Sequence, residues 1–314
     1  MKKFIKIFGI SFICFTLLLA GVVIAILKMP EPKPEPVPVP PSFSDEEEPK
    51  KAEKTELEEL IEKSNRINVL LMGMEGPRTD VLILASFDPE SKNVDMVSVP
   101  RDTYFHSKGY NAADQKKINA VYGRSNAEGV MGVVSAILDV PVHHYVRVSY
   151  KGVEDIVDSL GGVKVTIPFN MNYDDPYSNP PLHIHFKKGT KVLNGKEAVK
   201  FLRHRKNNDG THSGGDIGRI QRQQQFLKSA ASKALSFKKL PVVASTIFKF
   251  VKTSMDLDEI VYYAKSAIGI STDNIKTYKL PGKAEYKSNA SYYIHDPSET
   301  EKLMIEIYKR GMDE

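Results

Sequence analysis

The stretch RHRKNNDGTHSGGDIGRIQRQQQ, residues 203–225, sets four arginines and one lysine against two aspartates, a net charge of +3 around a glycine-bearing loop. Arg203 and Arg205 alternate, so on extended backbone their side chains leave the same side. Arg219, Arg222 and Gln223 stand at i, i+3 and i+4, on one face of a helix. Guanidinium forks take phosphate oxygens in pairs, and several converging on one place suit a pyrophosphate better than a lone phosphate. Two other readings share this composition: a solvated basic helix face, and contact of arginine and glutamine with nucleic-acid bases.

Carboxylates that would complement the cluster stand in GMEGPRTD, residues 73–80, where Glu75 and Asp80 flank Arg78 between two apolar runs. Paired oxygen donors at a strand end suit Mg²⁺, or Mn²⁺ in its place, with a phosphate completing the coordination. An ordinary polar turn has the same residues. VSVPRDTYF sets Arg101 and Asp102 at the exit of a third apolar run, either reaching the same crevice or forming a local ion pair. Lys117 in QKKINAVY is a further cation for a phosphate, or a solvated lysine.

Several other chemistries find no support. The chain has no G-x-x-x-x-G-K-[ST], so hydrolysis of a nucleoside triphosphate on a P-loop is not expected. Ser98, Ser213 and Ser229 lack the context of a nucleophile elbow. His183 and His185 alternate in LHIHF, but neither His204 nor His212 makes a third ligand at a fixed zinc spacing. The single cysteine, Cys14, lies in the apolar N-terminal run, leaving the remainder without disulfides or thiolate ligands.

These residues need a scaffold, and the runs INVLLMG, DVLILASFD and NVDMVSVP read as strands, with DPESKN a turn. NAEGVMGVVSAILDV reads as a buried helix, HHYVRVSY as a strand, KGVEDIVDSL as a helix and GGVKVTIP as a strand. NGKEAVKFLRHR opens a short helix and DIGRIQRQQQFLKSAASKAL a long one. Two further helices are expected after Pro241, then the strands NIKTYKL and SYYIH and a last helix opened by Asp296-Pro297. The alternation predicts an α/β fold, a central mixed sheet flanked by helices, in one domain over residues 66–314.

Ahead of that domain, residues 7–27 carry no charge, a run of about 32 Å at helical rise against a hydrocarbon core of about 30 Å. Three lysines precede it and Lys28 alone follows directly, which predicts a single-pass signal anchor with residues 1–6 cytoplasmic and the domain extracellular. Residues 28–65 form a linker: alternating proline favours a stiff polyproline spacer, and an acidic stretch with sparse leucines reads as a solvated stalk or partial helix. Residues 64–314 then carry a net +7, which favours an anionic ligand. The outward topology sets nucleic acid aside as a partner.

In NVLLMG, the RTD of the second strand, VSVPRDT, KINAVY, the GGV after a helix, LHIHFKKGTKVLNGKEAVKFLRHR and GGDIGRIQRQQQFL, the chain resembles the LytR–CpsA–Psr family over about residues 67–310. The resemblance implies a membrane-anchored phosphotransferase of a Gram-positive-type envelope. Such enzymes move a glycopolymer, of teichoic acid or capsular polysaccharide type, from a polyprenyl diphosphate carrier to peptidoglycan. By position it implies that Asp80 binds metal or acts as base, and that Arg78 contacts phosphate beside it. It also implies that Arg101, Arg203, Arg205 and Arg219 hold the diphosphate with Gln223. Glu75 stands where the family carries an aspartate, in a shorter loop. The helix around Val130, Met131, Val134 and Leu138 has the apolar side chains for a lipid slot, or for plain core packing. The resemblance is also compatible with a membrane-bound transcriptional attenuator, and the same phosphate grip would serve a lipid pyrophosphatase with water as nucleophile. Six residues before the span are too few for a cytoplasmic DNA-binding module.

Overall fold

Of the two readings of the acidic stretch before residue 66, a solvated stalk or a partial helix, the structure, a computed structural model, has the helix, and folds α1 (Glu56–Lys63) onto the domain. Thr55 and Glu58 close a capping box at its start, and Leu57, Leu60 and Ile61 share one face at helical spacing. That face is enough to dock the helix, with Leu57 fully buried. The described residues are 54–312 apart from 179–180, 212–214, 236–246 and 288. The expected span at 7–27 and the proline run lie outside them, and among the described residues no helix is long and apolar enough to cross a membrane.

Strand β1 (Ile67–Glu75) turns directly into β2 (Arg78–Phe87), its antiparallel partner, and β3 (Val94–Ser98) pairs antiparallel with β2. Helix α2 (Tyr122–Leu138) crosses over to β4 (His144–Ser149), which lies parallel to β1. Helix α3 (Tyr150–Ser159) follows without a loop, the Ser149 hydroxyl accepting from the Gly152 N–H at 3.2 Å. Next come β5 (Val163–Ile167), the hairpin β6 (Met171–Asp175) and β7 (Leu182–Phe186), and β8 (Gly189–Leu193), which pairs with β5. Helices α4 (Gly195–Arg203) and α5 (Gly215–Leu235) follow.

The chain ends with β9 (Lys252–Thr253), α6 (Leu257–Ser266), β10 (Ile275–Lys279), the hairpin β11 (Gly282–Lys287) and β12 (Ala290–His295), and α7 (Pro297–Lys309). The main sheet has the order β10-β3-β2-β1-β4-β9 and is mixed, as the alternation of elements predicts. Strands β6, β8 and β11 are largely polar or exposed, so no alternating pattern announces them. Of the two helices expected after Pro241, α6 is described; residues 236–246 lie outside the described set.

Period-two alternation gives the sheet two apolar faces. Leu70, Met72, Leu82 and Leu84 pack with α2 and α7, whereas Ile83 and Met96 face Leu227, Ala231 and Leu235 of α5. A second core gathers β5–β8, α3, α4 and Phe226 of α5. Helix α5 therefore touches both bodies of packing. At the opposite end, buried Asp95 accepts from Arg66 at 3.0 Å and Arg310 at 2.5 Å, tying the entry of β1, strand β3 and the end of α7.

Candidate active site

Between the α5-facing side of the sheet and the second core lies a cavity of about 670 Å³. Its walls are mainly apolar: Leu71 of β1, Val146 and Val148 of β4, Val153 and Ile156 of α3, and Phe226 of α5. Polar side chains line it as well, namely Asp80, Tyr150, Tyr173, Asp175, Arg203, Arg205, Lys206, Arg219 and Gln223. The helix carrying Val130, Met131, Val134 and Leu138 does not line it. Those side chains are buried on the other face of the sheet, because α2 is apolar on the side that covers Leu70 and Leu84.

Asp80 sits near the start of β2. Its Oδ1 accepts from Arg101 Nη1 at 2.7 Å, and its Oδ2 from the Tyr150 hydroxyl at 3.2 Å. Arg101 comes from the exit of β3 and Tyr150 from the first turn of α3, so three elements meet at one carboxylate. The Arg203 guanidinium lies over the Tyr150 ring, 4.9 Å from its centroid, a cation–π contact that orients it. Asp80, Tyr150 and Arg203 thus form a continuous row along the cavity's polar edge, with Arg101 paired to Asp80. Tyr150 is absent from the candidates named by composition; its only sign is a tyrosine closing the strand run HHYVRVSY.

Arg203 ends α4, whose start is fixed by a capping box of Asn194 and Glu197. The backbone turns extended at His204 (φ −59°, ψ 130°), so Arg203 and Arg205 both line the cavity while His204 is buried against Phe169. From α5, Arg219 and Gln223 reach the same space and are almost wholly buried. Arg222, on the same helical face, does something else: it donates to the His204 carbonyl and lies over Phe169, locking α5 to the end of α4. Burial, with the Arg219 charge beside it, pulls Arg222 down to about 10.

The glutamine run is not helix surface. Gln223 lines the cavity, Gln224 donates to Ser98 Oγ at 3.0 Å and to the Tyr278 carbonyl at 2.6 Å, and the Gln225 amide faces Thr166. Gln223 is buried and Gln224 and Gln225 are half-buried, because α5 is wedged between two cores. Nor is 206–211 a free loop: Asn207 Oδ1 accepts from the Asn172 N–H at 2.9 Å and Asn208 Oδ1 from the Asp174 N–H at 3.0 Å, fastening it to the β6–β7 hairpin. His212 and Ser213 lie outside the described residues.

Arg78, Lys117 and Arg101 are not among the residues lining the cavity, Arg101 reaching the site through its pair with Asp80. Arg78 pairs with Asp114 at 2.7 Å, both side chains well exposed. Lys117 pairs with Asp102 at 2.9 Å and lies 5.8 Å from the Tyr292 ring centroid. The Glu75 backbone closes the β1–β2 hairpin opposite Arg78, and its side chain lies outside the described set. The donor chemistry fits Mg²⁺ or Mn²⁺: Asp80 brings carboxylate oxygens to the cavity, and such ions take one or two carboxylates with phosphate and water oxygens.

The family model of LytR_cpsA_psr matches residues 42–309, most of the chain. The chain belongs to the LytR_cpsA_psr family. Among curated relatives, this LytR_cpsA_psr chain is 32% identical over 265 residues to the polyisoprenyl-teichoic acid–peptidoglycan teichoic acid transferase TagU of Bacillus subtilis, covering 82% of each chain. It is 30% identical over 253 residues to TagV of the same organism, a transferase of the same name, covering 77% of this chain and 63% of TagV. The crystal structure of B. subtilis TagV superposes with a TM-score of 0.66 at 28% identity, over 79% of this chain and 97% of that one. TagT bound to LIIa-WTA shares the fold, with a TM-score of 0.62 at 22% identity over 83% of this chain and 94% of that one.

Proposed function

We propose that this chain is a membrane-anchored phosphotransferase that moves a glycopolymer, of teichoic acid or capsular polysaccharide type, from a polyprenyl diphosphate carrier to peptidoglycan. The observation that carries the reading is one cavity with long apolar walls and three arginines beside a carboxylate. A prenyl chain needs the first and a diphosphate the second. The names of TagU and TagV point the same way. The uncharged run at 7–27 would hold the domain at the outer face of the membrane, where a lipid-linked donor lies.

Arg203, Arg205 and Arg219 grip the two phosphates, and the Gln223 amide adds a neutral donor. Arg101 and Tyr150 fix one oxygen each of Asp80, so the carboxylate is held in a set direction at the cavity. A hydroxyl oxygen of the acceptor sugar attacks that phosphorus, its bond to the bridging oxygen breaks, and polyprenyl monophosphate leaves with the electron pair. The hydroxyl proton passes to a base, a role open to Asp80 only when it does not hold the metal. Mg²⁺ or Mn²⁺ bound at Asp80, with Glu75 as a second candidate ligand, would neutralise phosphate charge. Phosphoryl transfer depends mainly on such positioning and charge stabilisation.

The test is transfer from a lipid-linked glycan donor to peptidoglycan by the full chain in vesicles. Arg203→Ala and Arg101→Ala are each expected to lower the rate at least about 100-fold, since each removes a charged hydrogen-bond partner from the reacting region. Full activity in both variants overturns the site. Glycan phosphate on peptidoglycan is the expected product; free phosphate marks a pyrophosphatase, and no turnover favours a regulator.

A further inference from the structure

The β6–β7 hairpin has two different faces. Tyr173, Asp175 and Leu182 line the cavity, whereas Asp174, His183 and His185 sit on the hairpin's other face. One donor atom from each of Asp174, His183 and His185 lies within 4.8 Å of the others. Asp174 Oδ1 is 2.5 Å from His183 Nδ1 and 3.2 Å from His185 Nε2. The ladder explains the meeting: His183 is the direct partner of Asp174, and His185 lies one same-face step further along β7. Sequence spacing alone offers H-x-H without a third ligand, because that ligand comes from the opposite strand.

We propose that these three residues form a site for a divalent transition metal of the Zn²⁺ class, separate from the oxygen site at Asp80. Two imidazole nitrogens and one carboxylate suit zinc and its neighbours, whereas Mg²⁺ prefers oxygen ligands. Ligand bonds of about 2.0–2.2 Å at tetrahedral angles set donor atoms about 3.3 Å apart. The His185–Asp174 separation of 3.2 Å already meets this, and the His183–Asp174 contact opens to it by a small side-chain rotation. All three side chains are about half exposed, so a metal can enter and water can fill the fourth position.

The backbone beneath the ligands is held in place. Asn208 grips Asp174 at both peptide groups, accepting from its N–H at 3.0 Å and donating to its carbonyl at 3.0 Å. Asp175 Oδ1 accepts from the N–H groups of Tyr177 and Ser178, both at 3.1 Å, closing the turn side of β6. Ligands on a fixed ladder lose little freedom on binding, so the metal meets a nearly formed site. A metal there clips β6 to β7 from outside, and the same strands carry cavity wall on the inside. It therefore stiffens the wall next to the Arg203–Arg205 segment without touching the reacting groups.

The inference is independent of the transfer reaction and is tested by binding. Full-length protein without a polyhistidine tag, stripped with chelator in detergent, is titrated with ZnCl₂ by calorimetry and by melting temperature. Wild type is expected to bind one equivalent that the His183→Gln/His185→Gln double variant lacks, with a rise in melting temperature also confined to wild type. Asp174→Asn should weaken that site at least about 10-fold, as loss of a direct ligand exceeds the effect of losing an outer partner. Millimolar Mg²⁺ should not compete. Co²⁺ substitution gives a readout needing no variant: visible d–d bands are expected in wild-type protein. Equal Zn²⁺ binding by wild type and the double variant, or no Co²⁺ bands at about 100 µM metal, overturns the proposal.

Discussion

Asp80 and Tyr150 form the contact on which the site turns. The Tyr150 hydroxyl holds one carboxylate oxygen, and its ring lies beneath Arg203, so one side chain aligns the carboxylate and the phosphate grip together. Tyr150→Phe removes only the hydroxyl. A hydrogen bond to a charged group contributes about 1.5–3 kcal/mol, so transfer should fall about 10- to 100-fold while the melting temperature stays near wild type. Tyr150→Ala also removes the platform for Arg203 and should raise KM for the lipid-linked donor as well. Equal kinetics for Tyr150→Phe and wild type would leave the tyrosine as packing alone. Arg78 and Lys117 show the converse: basic side chains close in sequence to the site are pulled to Asp114 and Asp102. Sequence gives residue type, and the nearest available carboxylate decides direction.

Among the elements, α5 holds the site together. Its Arg219 and Gln223 line the cavity, Arg222 binds the end of α4, and Gln224 binds the β3 and β10 region of the sheet. Helical periodicity identifies the face of Arg219, Arg222 and Gln223, but not that Gln224 and Gln225 are also drawn into polar contacts. Helix α1 shows the same limit. Its three apolar residues are too few to signal a core, yet they fill a groove against α7, where Lys309 pairs with Glu56 at 2.5 Å. Leu57→Ala should therefore cost about 2–5 kcal/mol in denaturant unfolding of the full chain, against a few tenths for a solvated stalk.

Across the whole described domain, Asn68 ties β1 to the entry of β4 and to α7. Its side chain donates to the Pro141 carbonyl at 2.7 Å and to the Tyr308 hydroxyl at 2.8 Å, and its N–H donates to His143 Nδ1 at 2.9 Å. Burial first, and the His144 charge second, pull His143 from its ordinary 6.5 down to about 4. The unfolded chain therefore takes up this proton near pH 6.5 and the folded chain only near pH 4. Stability from this group is fully present above pH 6.5 and is lost as pH falls from there towards 4. Protonation also turns the Nδ1 acceptor into a donor facing the Asn68 N–H. Unfolding free energy measured between pH 7 and 4 should fall more steeply for wild type than for His143→Gln; parallel profiles would rule out this histidine as the cause.

The alternation of strands and helices, the uncharged N-terminal run and the ordered basic and acidic motifs are local properties of the chain, so the sequence by itself determined the mixed α/β class and the phosphate chemistry. Period and propensity act over a few residues, and they report which side chains share a face. Which face meets which partner depends on contacts between residues far apart in sequence. Only the tertiary structure decided that the apolar cavity lies on the α5 side of the sheet rather than along α2. It alone brought Tyr150 between Asp80 and Arg203, and it set Asp174 beside His183 and His185 across a hairpin.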